Sequence, residues 1–441
     1  MQRNIYKSLV KWKEKLDKKP LLLRGARQIG KTFIVNEFGK NEFSNFIVLN
    51  FERDPEYIDI FSNYNPIKIT EKITLYTGKK ITLGKTLIFL DEIQECPKAI
   101  MALRYFYEEM PELHIIGAGS LLEFSLQSEN YRMPVGRIQY LYMYPLSFGE
   151  FLIAMEEKPL YNYISDKEKL KNIPQKLHEK LIDYTRIYYI IGGMPAVIKK
   201  YIEKRNITEC QRIQHSIIET YKDDFAKYSR NSQHKYIDKV FSVIPSMIGE
   251  KVVYSNIDKS MKSRDLKLAF ELLNTAGILY KVKRTSGAGL PLEANVKSNF
   301  FKSIFLDIGL MHAINGIYSE TIKETDLTAI YKGSVSEQFV GQELIATSNH
   351  YIKSNLYYWA REAKSSSAEI DFLITKEEKI IPIEVKSGKK GTLKSLLIYL
   401  KTYNCYRGIK ISQAVYKEEE NLLSLPFYGI EGHINSNKEE F

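Results

Sequence analysis

The sequence predicts an α/β protein with several domains, and three observations support that fold class. The chain has 441 residues, which is too long for one hydrophobic core, so about two to four domains are expected. Hydrophobic residues make up 44% of it, as in a globular protein. Over residues 1–150, apolar strand-like runs alternate with helical patterns, which is typical of a parallel sheet covered on both faces.

Four segments follow one another along the chain. Residues 1–150 contain the apolar runs PLLLRGA, FIVLNFE, TLIFLDE and LHIIGAG, and we expect the parallel sheet there. Residues 151–235 have a helical pattern and predict a lid or connector. Residues 236–330 follow the order helix, helix, strand, loop, strand, which is the order of a winged helix. Residues 331–441 predict a final α/β unit.

Charge and cysteine usage narrow the class of protein. Lysine and arginine exceed aspartate and glutamate by 64 to 53, a net charge of +11, which suits a polyanionic partner such as DNA or a solvated basic surface. Cys96, Cys210 and Cys405 are far apart, which excludes a disulfide framework and a cysteine zinc site. No apolar run reaches the ~18 residues of a membrane span, and the N-terminal residues lack a secretory apolar core, so we expect a cytoplasmic protein.

The stretch LLLRGARQIGKTFIVNEF contains the pattern G-x-x-x-x-G-K-T at Gly25, Gly30, Lys31 and Thr32. An apolar strand precedes the pattern and a helical pattern follows it. The glycines let backbone N–H groups approach phosphates, and the helix N-terminus adds its positive end. We expect Lys31 to contact the β- and γ-phosphates of ATP and the Thr32 hydroxyl to bind Mg²⁺.

A second motif, TLIFLDE, ends a buried strand in two carboxylates. The apolar residues Leu87–Leu90 are followed directly by Asp91 and Glu92. We expect Asp91 to hold Mg²⁺ through water and Glu92 to polarise the attacking water. The alternative is a helix N-terminus that carries acidic residues, which is the weaker explanation beside an intact phosphate-binding loop. The two motifs together predict ATP binding and hydrolysis.

The stretch EIDFLITKEEKIIPIEVKSG predicts a hairpin with a charged turn. If Thr375 pairs with Ile380, the apolar side chains share one face and Asp371 lies opposite Glu384 on the other. Directly opposed residues have Cβ atoms about 4.5–5.5 Å apart. Two carboxylates at that distance repel unless one is protonated or a cation lies between them. We expect a divalent metal as that cation.

The two nucleotide motifs resemble the Walker A and Walker B motifs of AAA+ P-loop ATPases. The strand LHIIGAGS resembles the sensor-1 strand of that class, which implies that Ser120 lies near the γ-phosphate. MPVGRIQYLYMYPLSFGEFL resembles the Gly-Arg and Pro-Leu-Ser-Phe segments of a prokaryotic AAA+ group, and IGGMPAVI, YKDDFAKYS and FFKSIFLDIGLM match the same group. The resemblance implies that Arg137 contacts the γ-phosphate or a neighbouring subunit. A salt bridge that steadies its loop is the alternative.

In that group, a C-terminal domain of unknown function with a nuclease-like fold follows the ATPase module. Residues 331–441 resemble the PD-(D/E)xK nuclease superfamily, with Glu337 on a helix, then Asp371, then Glu384 and Lys386 in the E-x-K pattern. The resemblance implies that the three carboxylates bind Mg²⁺ and that Lys386 orients or deprotonates water. Ordinary surface ion pairs are the alternative, and many members of the superfamily have lost activity.

The winged-helix order in residues 236–330 predicts a contact with DNA. The helix SRDLKLAFELLN would enter a groove, and basic side chains at its start and on the following hairpin would meet phosphates. These residues are Lys262, Arg264, Lys267, Lys281, Lys283 and Arg284. The apolar half of that helix belongs to a core in any case, and winged helices also dock proteins.

Three hypotheses of function follow from these motifs. The first is a cytoplasmic ATPase that couples its nucleotide state to a DNA-engaging C-terminal half, which in the stronger form of the hypothesis also cleaves DNA. The second is a nucleotide-dependent switch whose nuclease-like domain binds a partner without cleaving it. The third is an ATPase that remodels proteins. Because AAA+ sites commonly lie between subunits, we also expect self-association that depends on nucleotide.

Overall fold

The computed structural model describes residues 1–119, 134, 136–228, 231–316, 333–361, 368–388 and 392–434. The chain divides into two compact units. The N-terminal unit comprises Gln2–Tyr144 and Asn349–Lys353, and the C-terminal unit comprises Pro145–Ser348 and Ser354–Phe441. None of the helices formed by the described residues is long and apolar enough to cross a membrane.

The N-terminal unit is built on a five-stranded sheet in which all paired strands are parallel, as the sequence predicts. Its strands are β1 (Leu21–Arg24), β2 (Asn45–Asn50), β3 (Thr86–Asp91), β4 (His114–Ala118) and β5 (Gln139–Tyr142). Their order in the sheet is β2-β3-β4-β1-β5. Every residue of β3 is buried, because this strand has a neighbour on each side and helices on both faces.

Four helices accompany this sheet: α1 (Ile5–Glu14), α2 (Lys31–Glu42), α3 (Pro66–Thr77) and α4 (Pro97–Glu109). Proline stands at the start of both α3 and α4, where its missing N–H costs no intrahelical hydrogen bond. Buried side chains of α3 and α4, such as Ile73 and Phe106, join Leu90 of β3 in one hydrophobic core. The parallel arrangement leaves the carboxyl ends of the strands at one edge of the sheet.

The C-terminal unit begins with the helices expected over residues 151–235. They are α5 (Phe148–Ala154), α6 (Lys158–Ser165), α7 (Lys167–Lys171), α8 (Gln175–Ile191), α9 (Pro195–Lys204) and α10 (Ile207–Tyr228). Further helices follow between and after the strands: α11 (Asn231–Val243), α12 (Tyr254–Ile257), α13 (Ser263–Thr275), α14 (Ile308–Ile314), α15 (Ser334–Ala346), α16 (Lys394–Tyr403) and α17 (Ile430–Ile434).

An eight-stranded mixed sheet forms the centre of this unit. Its strands are β6 (Leu279–Thr285), β7 (Val296–Phe305), β8 (Leu356–Ala360), β9 (Glu369–Lys376), β10 (Lys379–Val385), β11 (Gly408–Ser412), β12 (Lys417–Glu419) and β13 (Leu422–Pro426). Their order is β12-β13-β11-β10-β9-β8-β6-β7.

The strands expected to form a separate winged helix belong to this same sheet. β6 and β7 pair antiparallel as predicted, but the other edge of β6 pairs in parallel with β8, with Val282 beside Leu356. Residues 236–330 and 331–441 therefore contribute strands to one sheet within the C-terminal unit, while the expected division at residue 330 stays a prediction. Local patterning cannot reveal this, because it says which residues form a hairpin but not what pairs with the hairpin's outer edge.

The hairpin of β9 and β10 has the register expected from its apolar face. Thr375 pairs with Ile380 and Phe372 with Ile383. Glu377 and Glu378 form the turn, and both have positive φ, 50° and 56°. Two residues with positive φ between antiparallel strands give the twist that a tight hairpin requires. The pairing ends one position before Asp371 and Glu384.

The segments FFKSIFLDIGLM and IGGMPAVI meet at the buried carboxylate of Asp307. Its oxygens accept the N–H groups of Leu310 at 3.0 Å and Gly193 at 2.6 Å, and the first of these bonds caps α14. Gly192 has φ 70°, and a Cβ there would clash with the Asp307 carboxylate. Gln342 of α15 donates to the same carboxylate at 3.3 Å. The LDIG and GGMP segments are thus joined by hydrogen bonds to one buried group.

We predict that a fragment of residues 331–441 does not fold by itself. It would expose the edge of β8 that β6 covers, and its buried carboxylates would lose Lys302, which lies on β7. Circular dichroism of this fragment is expected to show no cooperative thermal transition, whereas a fragment of residues 145–441 is expected to show one. A cooperative transition in the shorter fragment would contradict the shared sheet.

Candidate functional site

The phosphate-binding loop lies between β1 and α2, at the carboxyl edge of the parallel sheet. Gly25 has φ 149° and Gly30 has φ 96°, values that side chains rarely allow. A Cβ on Gly25 would clash with the carbonyl oxygen of Met143. The glycines of the motif are therefore required by the backbone itself, and the helix N-terminus that follows them is a ready site for an anion.

The ammonium group of Lys31 is turned back into the loop. Its Nζ donates to the carbonyl oxygens of Gly25 at 2.9 Å and Ala26 at 2.7 Å, and the residue is 7% exposed. Hydrogen bonds from an ammonium group to phosphate oxygens are stronger than those to neutral carbonyl oxygens. The loop is therefore suited to receive the phosphates that the sequence predicts.

Asp91 lies at the end of β3, where both of its oxygens are hydrogen bonded. The Thr32 hydroxyl donates to Oδ1 at 3.0 Å, and Nδ2 of Asn50 donates to Oδ2 at 3.0 Å. Burial raises the pKa of Asp91, the Glu92 charge adds to this rise, and the two hydrogen bonds oppose it. Thr32 and Asp91, both predicted from sequence as magnesium ligands, are thus adjacent, and this pair of hard oxygen donors fits Mg²⁺.

Glu92 follows Asp91 with a left-handed backbone, φ 50°. Nε2 of Gln94 donates to its carboxylate at 2.8 Å. Gln94 is itself buried and belongs to the short 3₁₀ turn Ile93–Glu95. The carboxylate expected to polarise water is therefore held by a neighbouring amide, a partner that the sequence analysis did not identify.

Two more polar residues of this site were missed from the sequence. Arg3 is buried, and its guanidinium donates to the carbonyl oxygens of Ile29 at 2.9 Å and Tyr144 at 2.6 Å. It connects the phosphate-binding loop to the segment after β5. Nothing in the local sequence indicates this contact. The position of Asn50, in contrast, could have been inferred, because it ends a strand that lies beside β3.

The remaining nucleotide-site predictions concern Ser120 and Arg137. Ser120 lies outside the described residues. Arg137 is 44% exposed at its side chain, and its Nε donates to Glu108 Oε1 at 2.8 Å. Glu108 also pairs with Arg104. The hydrogen bond from Arg137 lowers the pKa of the Glu108 carboxyl most, and the hydrogen bond from Arg104 lowers it further. Arg137 thus forms a salt bridge, as the alternative predicts. Its role across an interface between subunits stays a prediction.

In the C-terminal unit, Glu337, Glu369, Asp371 and Glu384 form what we call the carboxylate cluster. The cation expected between its members is a lysine from β7. The Nζ of Lys302 lies 3.3 Å from Glu337 Oε2, 2.5 Å from Glu369 Oε1 and 4.0 Å from Asp371 Oδ1. Sequence analysis missed Lys302, although a lysine inside the apolar run FFKSIF requires a charged partner if the strand is buried.

Helix α15 brings its carboxylate to this lysine by packing closely on the sheet. A Cβ on Gly341 would come within 2.7 Å of Ile304 in β7 and 3.3 Å of Phe372 in β9, so only glycine allows the approach. Glu337, one turn earlier on the helix, then reaches Lys302. The predicted neighbours Glu337 and Asp371 are therefore brought together by the fold.

The remaining cluster contacts are local to the hairpin. Asp371 Oδ2 accepts the N–H of Val385 at 2.7 Å, and Lys386 donates to Glu384 Oε1 at 2.6 Å. Glu369 pairs with Lys302 and with Lys251, the latter at 3.7 Å. Lys386, which the sequence predicts to act on water, therefore forms an ion pair with Glu384 in this arrangement.

Burial dominates the electrostatics of the cluster. It raises the pKa values of Glu337, Asp371 and Glu384, with the Asp371 charge adding to the rise at both glutamates. Burial alone would lower the pKa of Lys302, but the carboxylates outweigh it and raise that pKa, so the ammonium stays charged. No group of three or more His, Cys, Asp or Glu side chains within the described ranges is arranged to hold a metal ion.

The cations expected on a DNA-binding wing are mostly engaged by acidic side chains. Lys281 pairs with Glu271 of α13, and Lys283 pairs with Glu293 at 2.7 Å. Arg284 donates to the carbonyl oxygen of Ala360 at 3.0 Å. The cations at the start of α13 differ from these, because Lys262, Arg264 and Lys267 are exposed.

Three family models match the chain, each over less than half of its length. Residues 17–152 match the family described as an AAA domain. Residues 182–321 match a domain of unknown function, DUF8612, and residues 332–427 match another, DUF4143. No curated protein matches the sequence.

Several solved structures resemble this one. A Walker-type ATPase of Pyrococcus abyssi is 15% identical, with a TM-score of 0.45 over 71% of this chain and 95% of that one. The Orc1 protein of Aeropyrum pernix in complex with DNA is 12% identical, with a TM-score of 0.31 over 72% and 93%. The RuvB Holliday junction branch migration motor of Thermotoga maritima is 16% identical, with a TM-score of 0.27 over 64% and 90%.

Scores below 0.5 do not define a shared overall architecture. The family match over residues 17–152, the order of the parallel strands and the phosphate-binding loop agree with one another. The N-terminal part of this chain is an AAA+ P-loop ATPase-like domain.

Proposed function

We propose that this protein binds ATP with Mg²⁺ and hydrolyses it in the N-terminal unit. The observation that carries the proposal is the 3.0 Å hydrogen bond between Thr32 and Asp91, which joins the phosphate-binding loop to the end of β3. Mg²⁺, when bound there by these two residues, would neutralise phosphate charge.

Each further residue of the site has a role in this proposal. Lys31 would exchange the carbonyls of Gly25 and Ala26 for phosphate oxygens, which are stronger partners for an ammonium group. Glu92 would accept a proton from the attacking water, and the Gln94 amide keeps its carboxylate in a fixed orientation. Ser120 and Arg137 remain proposed contacts of the γ-phosphate, the latter across a nucleotide-dependent interface between subunits.

The C-terminal unit supports a binding role better than a cleaving role. Lys302 lies among three carboxylates of the cluster, so DNA cleavage at that cluster is not part of the proposal. A second candidate function, nucleotide-dependent binding of DNA, is favoured by the exposed cations at the start of α13 and by the net charge of +11. Remodelling of a protein is the alternative if DNA does not bind.

We predict that Lys31→Ala abolishes ATP binding, because the site loses the cation that faces the phosphates. Glu92→Gln is expected to bind ATP within about twofold of the parent but to hydrolyse it at least ~100-fold more slowly, since only proton acceptance is lost. Fluorescent-nucleotide binding and phosphate release measure the two effects. Glu95→Gln, on the same 3₁₀ turn, is the control, and hydrolysis by Glu92→Gln at the parental rate would refute the assignment of Glu92.

Arg3→Ala is expected to raise the KM for ATP about tenfold with a smaller change in kcat, because two hydrogen bonds from a charged donor hold the loop that binds phosphate. Arg3→Lys, which keeps the charge, should lie between Arg3→Ala and the parent. Arg53→Ala changes an exposed arginine of the same unit and serves as control. Steady-state kinetics with equal KM values in Arg3→Ala and the parent would exclude this positioning role.

For DNA binding, we predict that Arg264→Gln/Lys267→Gln lowers the slope of log affinity against log salt by about 2, because about 0.9 counterion is released per phosphate contact. Lys283→Gln should leave that slope unchanged, since Lys283 is already paired with Glu293. Fluorescence anisotropy with labelled duplex DNA and an ATP analogue gives the slope. Affinity that does not depend on salt would instead favour the protein-remodelling alternative.

A further inference from the structure

The carboxylate cluster already contains a positive charge at its centre. The side chain of Lys302 is 5% exposed, so its ammonium group is buried. Its Nζ contacts Glu337 and Glu369 and lies near Asp371. Lys302 is therefore held within the cluster by its ion pairs.

The position of Lys302 is fixed from three directions. Its strand, β7, pairs along its length with β6, and residue 302 stands beside Val282. The Tyr358 ring, in β8, has its centroid 5.5 Å from Nζ, a distance at which the ring face attracts a cation. Gly341 lets α15 pack on Ile304, two residues further along the strand. Moving the ammonium away would break its ion pairs and its contact with the Tyr358 ring.

A divalent metal would compete with Lys302 for the carboxylates of the cluster. Mg²⁺ and Mn²⁺ require several oxygen ligands in a near-octahedral arrangement. Oε2 of Glu337 and Oε1 of Glu369 are engaged by Lys302, and Oδ2 of Asp371 accepts the Val385 N–H. Oε2 of Glu384 has no hydrogen-bond partner among the described residues, but a metal ion shared with Asp371 would lie close to the Lys302 ammonium, which is 4.0 Å from Asp371 Oδ1, and the like charge disfavours it.

We propose that Lys302 is the resident cation of the carboxylate cluster and that the cluster binds no divalent metal while Lys302 is present. The lysine takes the place that the resemblance to PD-(D/E)xK nucleases assigns to a metal ion. The cluster then joins α15, β7 and β9 by ion pairs, and it lacks the metal-activated water that phosphodiester hydrolysis would need.

The test counts bound Mn²⁺ on the full-length protein without nucleotide, by electron paramagnetic resonance of the free ion. Parent protein and Asp371→Asn are expected to bind equal amounts, since weak binding at the nucleotide site is common to both. Lys302→Met, which keeps the length of the side chain and removes its charge, is expected to gain Mn²⁺ binding. Lys302→Met/Asp371→Asn should lose that gain.

Two results would overturn the proposal. The first is that the parent protein binds more Mn²⁺ than the Asp371→Asn variant does. The cluster would then be a metal site even with Lys302 present. The other is Lys302→Met that folds, as judged by circular dichroism, and gains no Mn²⁺. If Lys302→Met does not fold, the comparison of parent protein with Asp371→Asn decides by itself, and equal binding supports the proposal.

Discussion

The buried ion pairs of Lys302 hold together elements that are distant in sequence. Glu337 comes from α15 and Glu369 from β9, while the lysine comes from β7 at the far end of the sheet order. A carboxylate is costly to bury alone, and a buried lysine is costly as well, so each makes the burial of the other tolerable. Without Lys302, the packing of α15 on the sheet would leave these carboxylates buried without a cation. Lys302 therefore joins α15, β7 and β9 by ion pairs within the C-terminal unit.

The nucleotide site of the N-terminal unit is assembled by backbone pairing rather than by buried ion pairs. Its parts are brought together by the parallel sheet, because strand ends at one edge collect side chains from separate segments of the chain. Asp91 and Asn50 meet in this way at the ends of β3 and β2. Arg3 then steadies the loop through carbonyl oxygens, an interaction that needs no negative charge and leaves the positive potential of the loop intact. This combination suits a polyanionic ligand such as ATP.

Local features of the sequence predicted the phosphate-binding loop, the parallel sheet and the register of the β9–β10 hairpin. They succeeded because spacing and side-chain alternation determine these features over a few residues. Lys302 and Arg3 were missed because their partners lie 35 and 26 residues away or more, and no local pattern encodes such contacts. The charge conflict between Asp371 and Glu384 was recognised correctly, but the sequence could not say whether a metal or a side chain relieves it. The pairing of the predicted winged-helix hairpin with β8 was missed for the same reason, since β8 comes from another segment of the chain.

Unfolding measurements on charge-removal variants test most directly whether Lys302 balances the carboxylate cluster. Lys302→Met should lower the free energy of unfolding by about 3–5 kcal/mol, because it leaves buried carboxylates without a cation. Lys302→Met/Glu337→Gln/Glu369→Gln should recover most of that loss, because the unpaired charges are gone. Denaturant unfolding in metal-free buffer, followed by circular dichroism, compares the variants. A Lys302→Met protein as stable as the parent, or a triple variant less stable than Lys302→Met, would contradict the account.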